Sequence, residues 1–200
     1  MRNEFSVQQG FPNELRSSAV QLYDAAFGTK LSVAIPKKDL RIAVLKAGFD
    51  PVFSFVAVYS GVMVGIVGFK TAHGSLTDGI SFSVLKEKLG YWGAIRAALV
   101  LALLERKQVT GQLLMDGISV SSKMRGRGIG TKLLHRLIEY AQNEGYRSVR
   151  LDVIDTNPAA QRLYERVGFV PVKTDKFACL KWLLGFGAAT QMEYSLNGGA

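Results

Sequence analysis

Residues 53–59 and 62–69 are two β-branched and aromatic runs with only Ser60 and Gly61 between them. A two-residue connection joins antiparallel strands; it cannot hold the crossover that parallel strands need. The pair therefore predicts a β-hairpin and excludes an all-parallel, doubly wound sheet. Before the hairpin the apolar spacing is helical. Leu15, Ala19, Leu22, Tyr23 and Ala26 recur over residues 13–26, with Asn13 after Pro12 as the N-cap and Gly28 as the stop. Residues 36–47 predict a second helix, with Leu40, Val44 and Ala47 on one face. A weak alternation over 4–8 predicts a short first strand.

After the hairpin, residues 112–120 read as a strand. Residues 132–144 read as a helix with Leu133, Leu134, Leu137, Ile138 and Ala141 inward and Gly145 beyond its end. A strand over 148–154 follows, then a short helix over 158–167, opened by Asn157-Pro158 and stopped by Gly168. Residues 169–172 and 190–196 complete the strands. The expected class is α/β (α+β), with a mixed, mostly antiparallel central sheet flanked by helices. One domain over 1–200 is expected, with an apolar insertion at about 71–111 that is helical after Gly90.

Composition narrows the function classes. At 48% apolar and 20% charged residues, the chain is neither disordered nor a coiled coil. The single cysteine, Cys179, excludes an intramolecular disulfide. With only His73 and His135 beside it, a Cys/His zinc site is excluded, and no metal is expected. The formal charge of +9 suits an anionic ligand, nucleic acid or an acidic membrane surface without choosing among them. The first residues have no apolar run, which argues against a signal peptide. Residues 89–104 are apolar apart from Arg96 but fall short of the ~20 needed to span a bilayer. A cytoplasmic protein is expected.

The segment most informative about chemistry is Arg125-Gly126-Arg127-Gly128-Ile129-Gly130-Thr131, between a strand and a helix. A glycine-rich turn lets backbone N–H groups approach a ligand closely. The following helix start adds unpaired N–H groups and partial positive charge. Arg125, Arg127 and Lys132 add full charges. The combination reads as a pyrophosphate site, or as a solvated basic turn capping a helix. A P-loop is excluded because Gly130-Thr131-Lys132 reverses its lysine and hydroxyl. A dinucleotide turn keeps some support from Asp152, about twenty residues on, but the antiparallel strands count against it.

Arg125-x-x-Gly128-x-Gly130 resembles the acetyl-CoA signature of the GCN5-related N-acetyltransferase superfamily. The stretch from Asn157-Pro158-Ala159-Ala160 through Tyr164-Glu165-Arg166-Val167-Gly168-Phe169 resembles that family's later motif. One helix and one strand separate the two motifs, as in the family. The resemblance is strong over 116–169 and looser over about 5–196; the insertion at 71–111 departs from the compact pattern.

The resemblance implies an acyl-CoA N-acyltransferase fold, with acetyl-CoA as co-substrate and a small-molecule or peptide amine as acceptor. It implies that Ile118, Ser119 and Val120 offer backbone groups to the pantetheine arm. Arg125, Gly126, Arg127, Gly128, Ile129, Gly130 and Thr131 would hold the pyrophosphate. Asn157 would face the pantetheine or a water. Tyr164 would be the general acid on the departing thiolate, or else a core aromatic. Asp116 would be the base, or else an exposed or ion-paired strand residue; Glu193 is a weaker candidate. His73 is expected in solvent and His135 on the side of a helix.

Two rival readings accompany this one. The apolar, basic-flanked stretch 86–107 fits a non-catalytic acyl-CoA-binding module that regulates or touches a membrane surface. Nucleic-acid binding has only the net charge behind it, with no interleaved aromatic and basic motif, and no nucleic-acid partner is expected. For the insertion itself, packing over the core, an acceptor pocket, a homodimer surface and membrane contact all stand open.

Overall fold

The computed structural model describes residues 5–105, 109–176 and 185–196. Its elements run β1 (Ser6–Gln9), α1 (Asn13–Leu31), α2 (Lys38–Gly48), β2 (Ser54–Tyr59), β3 (Val62–Thr71), β4 (Gly74–Ser75), α3 (Phe82–Leu104) and β5 (Gln112–Val120). Then come α4 (Ile129–Asn143), β6 (Ser148–Ile154), α5 (Pro158–Val167), β7 (Val170–Lys176) and β8 (Ala188–Ser195). The sheet order is β1-β2-β3-β5-β6-β8-β7, with β4 paired to β3. Every pair is antiparallel except β5 with β6.

The expected hairpin is β2–β3. Ser60 (φ 49) and Gly61 (φ 76) both take the left-handed conformation. This is the turn geometry whose twist matches the flanking strands. The first strand lies at Ser6–Gln9, slightly later than its weak alternation implied. The last two strands start at Val170 and Ala188.

The sheet separates two cores. On one face α4 buries Ile129, Leu133, Leu134, Leu137, Ile138 and Ala141, as its spacing predicts. They pack with Phe55, Val67, Phe69, Met115 and Val153 of the sheet and Tyr164 of α5. On the other face α1 and α2 pack Val20, Tyr23 and Leu45 over Val56, Met63 and Ile66. The buried face of α2 is Arg41, Val44, Leu45 and Gly48, not the expected stripe through Ala47, which is exposed.

The expected stop at Gly28 is corrected. Helix α1 passes through it to Leu31. A Cβ at Gly28 would lie 3.0 Å from Asp24 Oδ1 and 3.1 Å from Arg41 Nη2. The glycine therefore makes room for a buried ion pair between α1 and α2. Arg41 Nε donates to Asp24 Oδ1, and Nη2 donates to Oδ2 at 3.3 Å. Arg41 Nη1 also donates to the carbonyl oxygens of Ile35 at 3.0 Å and Pro36 at 3.4 Å. One guanidinium thus ties both helices to the chain that joins them. Asn13 does not cap α1; its Oδ1 accepts from Arg16 Nε at 3.1 Å.

The inserted helix begins before Gly90, not after it. Ser81 caps its start, Oγ accepting from Val84 N at 3.4 Å, and Gly90 (φ 73, ψ 173) kinks it. Leu85, Ala94 and Ala97 pack on Val44 of α2 and on Ala34 and Ile35 of the α1–α2 connection. Arg96 Nη2 donates to Val33 O at 3.0 Å, and Lys70 Nζ to Glu105 Oε1 at 3.1 Å. One face of α3 is thus committed to a small core of its own. Trp92, Leu99 and Leu103 stay 80%, 65% and 76% exposed. Among the described residues no helix is long and apolar enough to cross a membrane.

Replacing one partner of the buried pair strands a charge in the core. Arg41→Met is expected to cost about 3–5 kcal/mol in urea unfolding, and the double replacement Asp24→Leu with Arg41→Met to recover most of it.

Candidate active site

Strands β5 and β6 pair for only a short distance. Gln112, Leu113 and Leu114 lie opposite Ser148, Val149 and Arg150, and there the ladder ends. Yet β5 continues its pairing with β3 to Val120, and β6 with β8 to Ile154. The two strands therefore diverge, and their facing edges line a wedge-shaped gap. Backbone N–H and C=O groups along such an edge have no ladder partner and favour an extended ligand that supplies one.

A β-bulge lies at the start of the gap. Gly117 is opposite Gly68 and Met115 opposite Phe69, so Asp116 is the extra residue of β5. A bulge bends its strand and re-aims side chains. Here it changes which residues face α4: Leu113 and Met115 before it, Ile118 and Val120 after it. Asp116 itself is half-buried.

Helix α1 closes the other face of β5. A Cβ on Gly117 would fall 2.3 Å from the Phe27 ring, so only glycine fits there. Ser119 is buried and its hydroxyl donates to Leu22 O at 2.7 Å. The Ser119 side chain is thus committed to α1, and only its backbone remains for a ligand. In the last turn of α1, Lys30 Nζ sits 5.9 Å from the centre of the buried Phe186 ring. α1 packs on β5 and Phe186 leads into β8, so this contact joins the end of α1 to the chain that enters β8. Phe186 carries no local signal, since it stands alone between Gly185 and Gly187.

On the opposite face the basic turn leads into α4. Gly126 (φ 76) and Gly128 (φ 77) are both left-handed, and a Cβ on either would meet nothing within 4 Å. Glycine is required there by conformation, not by crowding. The first helical bond of α4 runs from Lys132 N to Gly128 O at 3.0 Å. The amides of Ile129, Gly130 and Thr131 therefore have no acceptor within the helix. Arg125 and Arg127 are exposed beside them, and Arg125 Nε donates to Val120 O at 3.4 Å, which joins the turn to the end of β5. Lys132 instead lies over Phe5, 4.9 Å from its ring centre. Gly130 brings α4 close to its neighbours: its Cβ would lie 3.0 Å from Leu163 of α5 and 3.9 Å from Val120.

Asn157 caps α5, with Oδ1 accepting from Ala160 N at 3.1 Å. It stands exposed at the helix entrance. Tyr164, two turns on, is 5% exposed and packs 6.1 Å from Phe169 between ring centres. Glu193 belongs to the closed end of the strands. It lies opposite Arg150 and accepts from Gln112 Nε2 and, at 3.1 Å, from Ser148 Oγ. His73 and His135 are both exposed. Burial, and then the charge of Glu144, raise the hydroxyl pKa of Tyr140 and Tyr146. Both lie around the C-terminal end of α4, away from the basic turn.

The arrangement fits a long, thin ligand with a pyrophosphate. An anion would meet αL glycines, free helix amides and two arginines, and an extended arm would meet the open edges of β5 and β6. Among the described residues no cluster of His, Cys, Asp or Glu forms a metal site.

A family model described as acetyltransferase (GNAT) family matches residues 18–169. The "probable N-acetyltransferase camello" of Xenopus tropicalis is 43% identical over 58 residues, 29% of this chain and 26% of that protein. The mouse thialysine N-epsilon-acetyltransferase is 41% identical over 54 residues, 27% of this chain and 32% of that enzyme. The chain thus aligns with only about a quarter to a third of these relatives' lengths. The fold is similar to that of an N-acetyltransferase from Staphylococcus aureus Mu50 (TM-score 0.68, 17% identity, 94% of this chain and 100% of that one). It is also similar to that of a protein from Salmonella typhimurium described as "a putative acetyltransferase" and solved with its cofactor acetyl-CoA (TM-score 0.58, 17% identity, 99% of this chain and 97% of that one).

The turn makes a direct prediction. Gly128→Val strains the backbone of the turn by forcing a β-branched residue to positive φ, but its Cβ meets no other residue within 4 Å, so the strain falls on the turn and the chain should still fold. Its affinity for acetyl-CoA should fall at least about tenfold by calorimetry, or 1.4 kcal/mol. Unchanged affinity in a folded variant would remove the turn from the site.

Proposed function

This chain belongs to the acetyltransferase (GNAT) family, and from that premise we propose that it is an acetyl-CoA-dependent N-acetyltransferase whose acceptor is a primary amine. The parting of β5 and β6 beside the basic glycine turn is the observation that carries this reading. Residues 1–200 form one such domain, with α3 as its insertion, and it works in the cytoplasm.

Acetyl-CoA supplies a thioester that a neutral amine attacks directly, with no covalent enzyme intermediate. Gly126, Gly128 and the amides of Ile129, Gly130 and Thr131 hold the pyrophosphate, with Arg125 and Arg127 adding charge. The backbone of Ile118, Ser119 and Val120 orients the extended arm, and Asn157 approaches it through the amide that does not cap α5. The backbone N–H near Val120 donates to the carbonyl oxygen as negative charge develops on it, a fixed dipole that needs no reorganisation. Tyr164 gives its hydroxyl proton to the departing sulfur. Asp116, displaced from the ladder by the bulge, takes the proton of the amine through a water, because an aspartate side chain is short.

A second reading has an observation of its own. The exposed Trp92, Leu99 and Leu103 on α3 favour a non-catalytic module that holds acyl-CoA and touches a membrane surface. Flotation with anionic liposomes at low salt separates the two, since this reading requires association and the enzymatic one does not.

Two substitutions test the roles. Tyr164→Phe should lower turnover by roughly 10²–10⁴-fold under conditions where chemistry limits the rate, with acetyl-CoA affinity unchanged. Wild-type turnover would return Tyr164 to a packing role. Asp116→Asn should lower kcat by roughly 10²–10⁴-fold where chemistry limits the rate, with acetyl-CoA affinity unchanged; wild-type kcat would assign the base elsewhere.

A further inference from the structure

A pocket of about 240 Å³ opens between the α1–α2 connection and α3. Ile35, Leu40, Leu89 and Gly93 are among the residues that give it apolar walls, and Lys37 and Arg96 also line it. Among the described residues no carboxylate lines it. Among the described residues neither cation is paired with one. Arg96 is held in place by its bond to Val33 O at 3.0 Å, so its guanidinium is oriented before any ligand arrives. Gly93 keeps the wall open, since a Cβ there would press to 2.9 Å on Leu89 Cβ, another residue of the lining. The volume is below the roughly 300–1,000 Å³ of a drug-sized site, so it suits one ring or a short aliphatic chain. Apolar walls beneath two unpaired cations call for an apolar acid.

The pocket lies on the α1 side of the gap. Phe27 of α1 rests on Gly117, the residue after Asp116. Leu31 is one helical turn further, and its carbonyl oxygen accepts from the amides of Ala34 and Ile35 at the pocket wall. Counting along the helix and this turn places the pocket about 10–15 Å from Gly117. That is the length of about three or four extended residues.

We propose that this pocket anchors the far end of the acceptor, so that the acceptor is a short amine of peptide-like length ending in an apolar group with a free carboxylate. The proposal rests on the acetyltransferase reading and adds the acceptor class to it. Arg41 serves it as a positioning residue, because its bonds to Ile35 O and Pro36 O set the shape of one wall.

The test uses 3-phenylpropionate as probe and 3-phenylpropanol as its uncharged control, followed at the backbone amides of Ile35, Gly93 and Ala94 by NMR. The acid should bind at least about tenfold more tightly than the alcohol, a difference of 1.4 kcal/mol. That preference should vanish in the double variant Lys37→Gln with Arg96→Gln, whose exposed positions leave the fold intact. Gly93→Leu should abolish binding of both. With amine acceptors, the acid should raise acceptor KM and leave acetyl-CoA KM unchanged. Equal binding of acid and alcohol, or shifts away from the pocket, would overturn the ligand class. Binding in the pocket without competition against acceptors would overturn its assignment to the acceptor. Failure of the wild-type protein to bind acetyl-CoA would instead sink the enzymatic reading, while the NMR result would still judge the pocket.

Discussion

Beyond Leu114 and Arg150 the parallel strands β5 and β6 stop sharing hydrogen bonds, and much of the molecule is arranged around that separation. A sheet edge inside a folded domain is costly, since each buried backbone group without a partner forfeits a hydrogen bond. The fold keeps the edge open by bracing both walls. β5 is held by β3 on one side and by α1 above it, through Phe27 on Gly117 and Ser119 on Leu22. β6 is held by β8 along its whole length. The bulge at Asp116 bends β5 at the level where the ladder to β6 ends.

The two helical faces play different parts around this opening. α4 meets the opening with its N-terminus, where free amides and arginines suit an anion. α1 meets it with apolar side chains, and its C-terminal end is fixed to α2 by the buried Asp24–Arg41 pair. That pair also holds the connection on which α3 packs. The geometry of the α1–α2 connection and stability are therefore linked through a single guanidinium, whereas the glycine turn rests on its left-handed backbone and on the bond from Arg125 to Val120 O.

The hairpin, α4 with its inward face, and α5 with its two end signals were legible because local chemistry alone specifies them. A two-residue Ser60-Gly61 connection between β-rich runs leaves room only for a hairpin turn, and Asn157-Pro158 and Gly168 mark helix ends that no tertiary contact overrides. What was hidden depended on tertiary contact. Gly28 reads as a stop until the charge pair beside it is known. The kink at Gly90 sits inside a helix that starts at Ser81, because a glycine in an apolar run looks like a boundary. A bulge leaves no period in the sequence, so strict alternation along β5 misassigns which residues face α4. The candidate site was legible in its glycine turn and its asparagine–tyrosine helix, whereas the contribution of Phe186 was invisible between two glycines.

The gap between β5 and β6, with the turn ahead of α4, is the proposed seat of acetyl-CoA. Backbone amide NMR during titration with acetyl-CoA addresses it residue by residue, without any acceptor. The largest shifts are expected at residues 116–120 and 126–131, with residues 112–114 and 148–150 of the closed ladder little changed. Shifts centred on α3 or on the edge strand β7, with the glycine turn unaffected, would contradict that assignment.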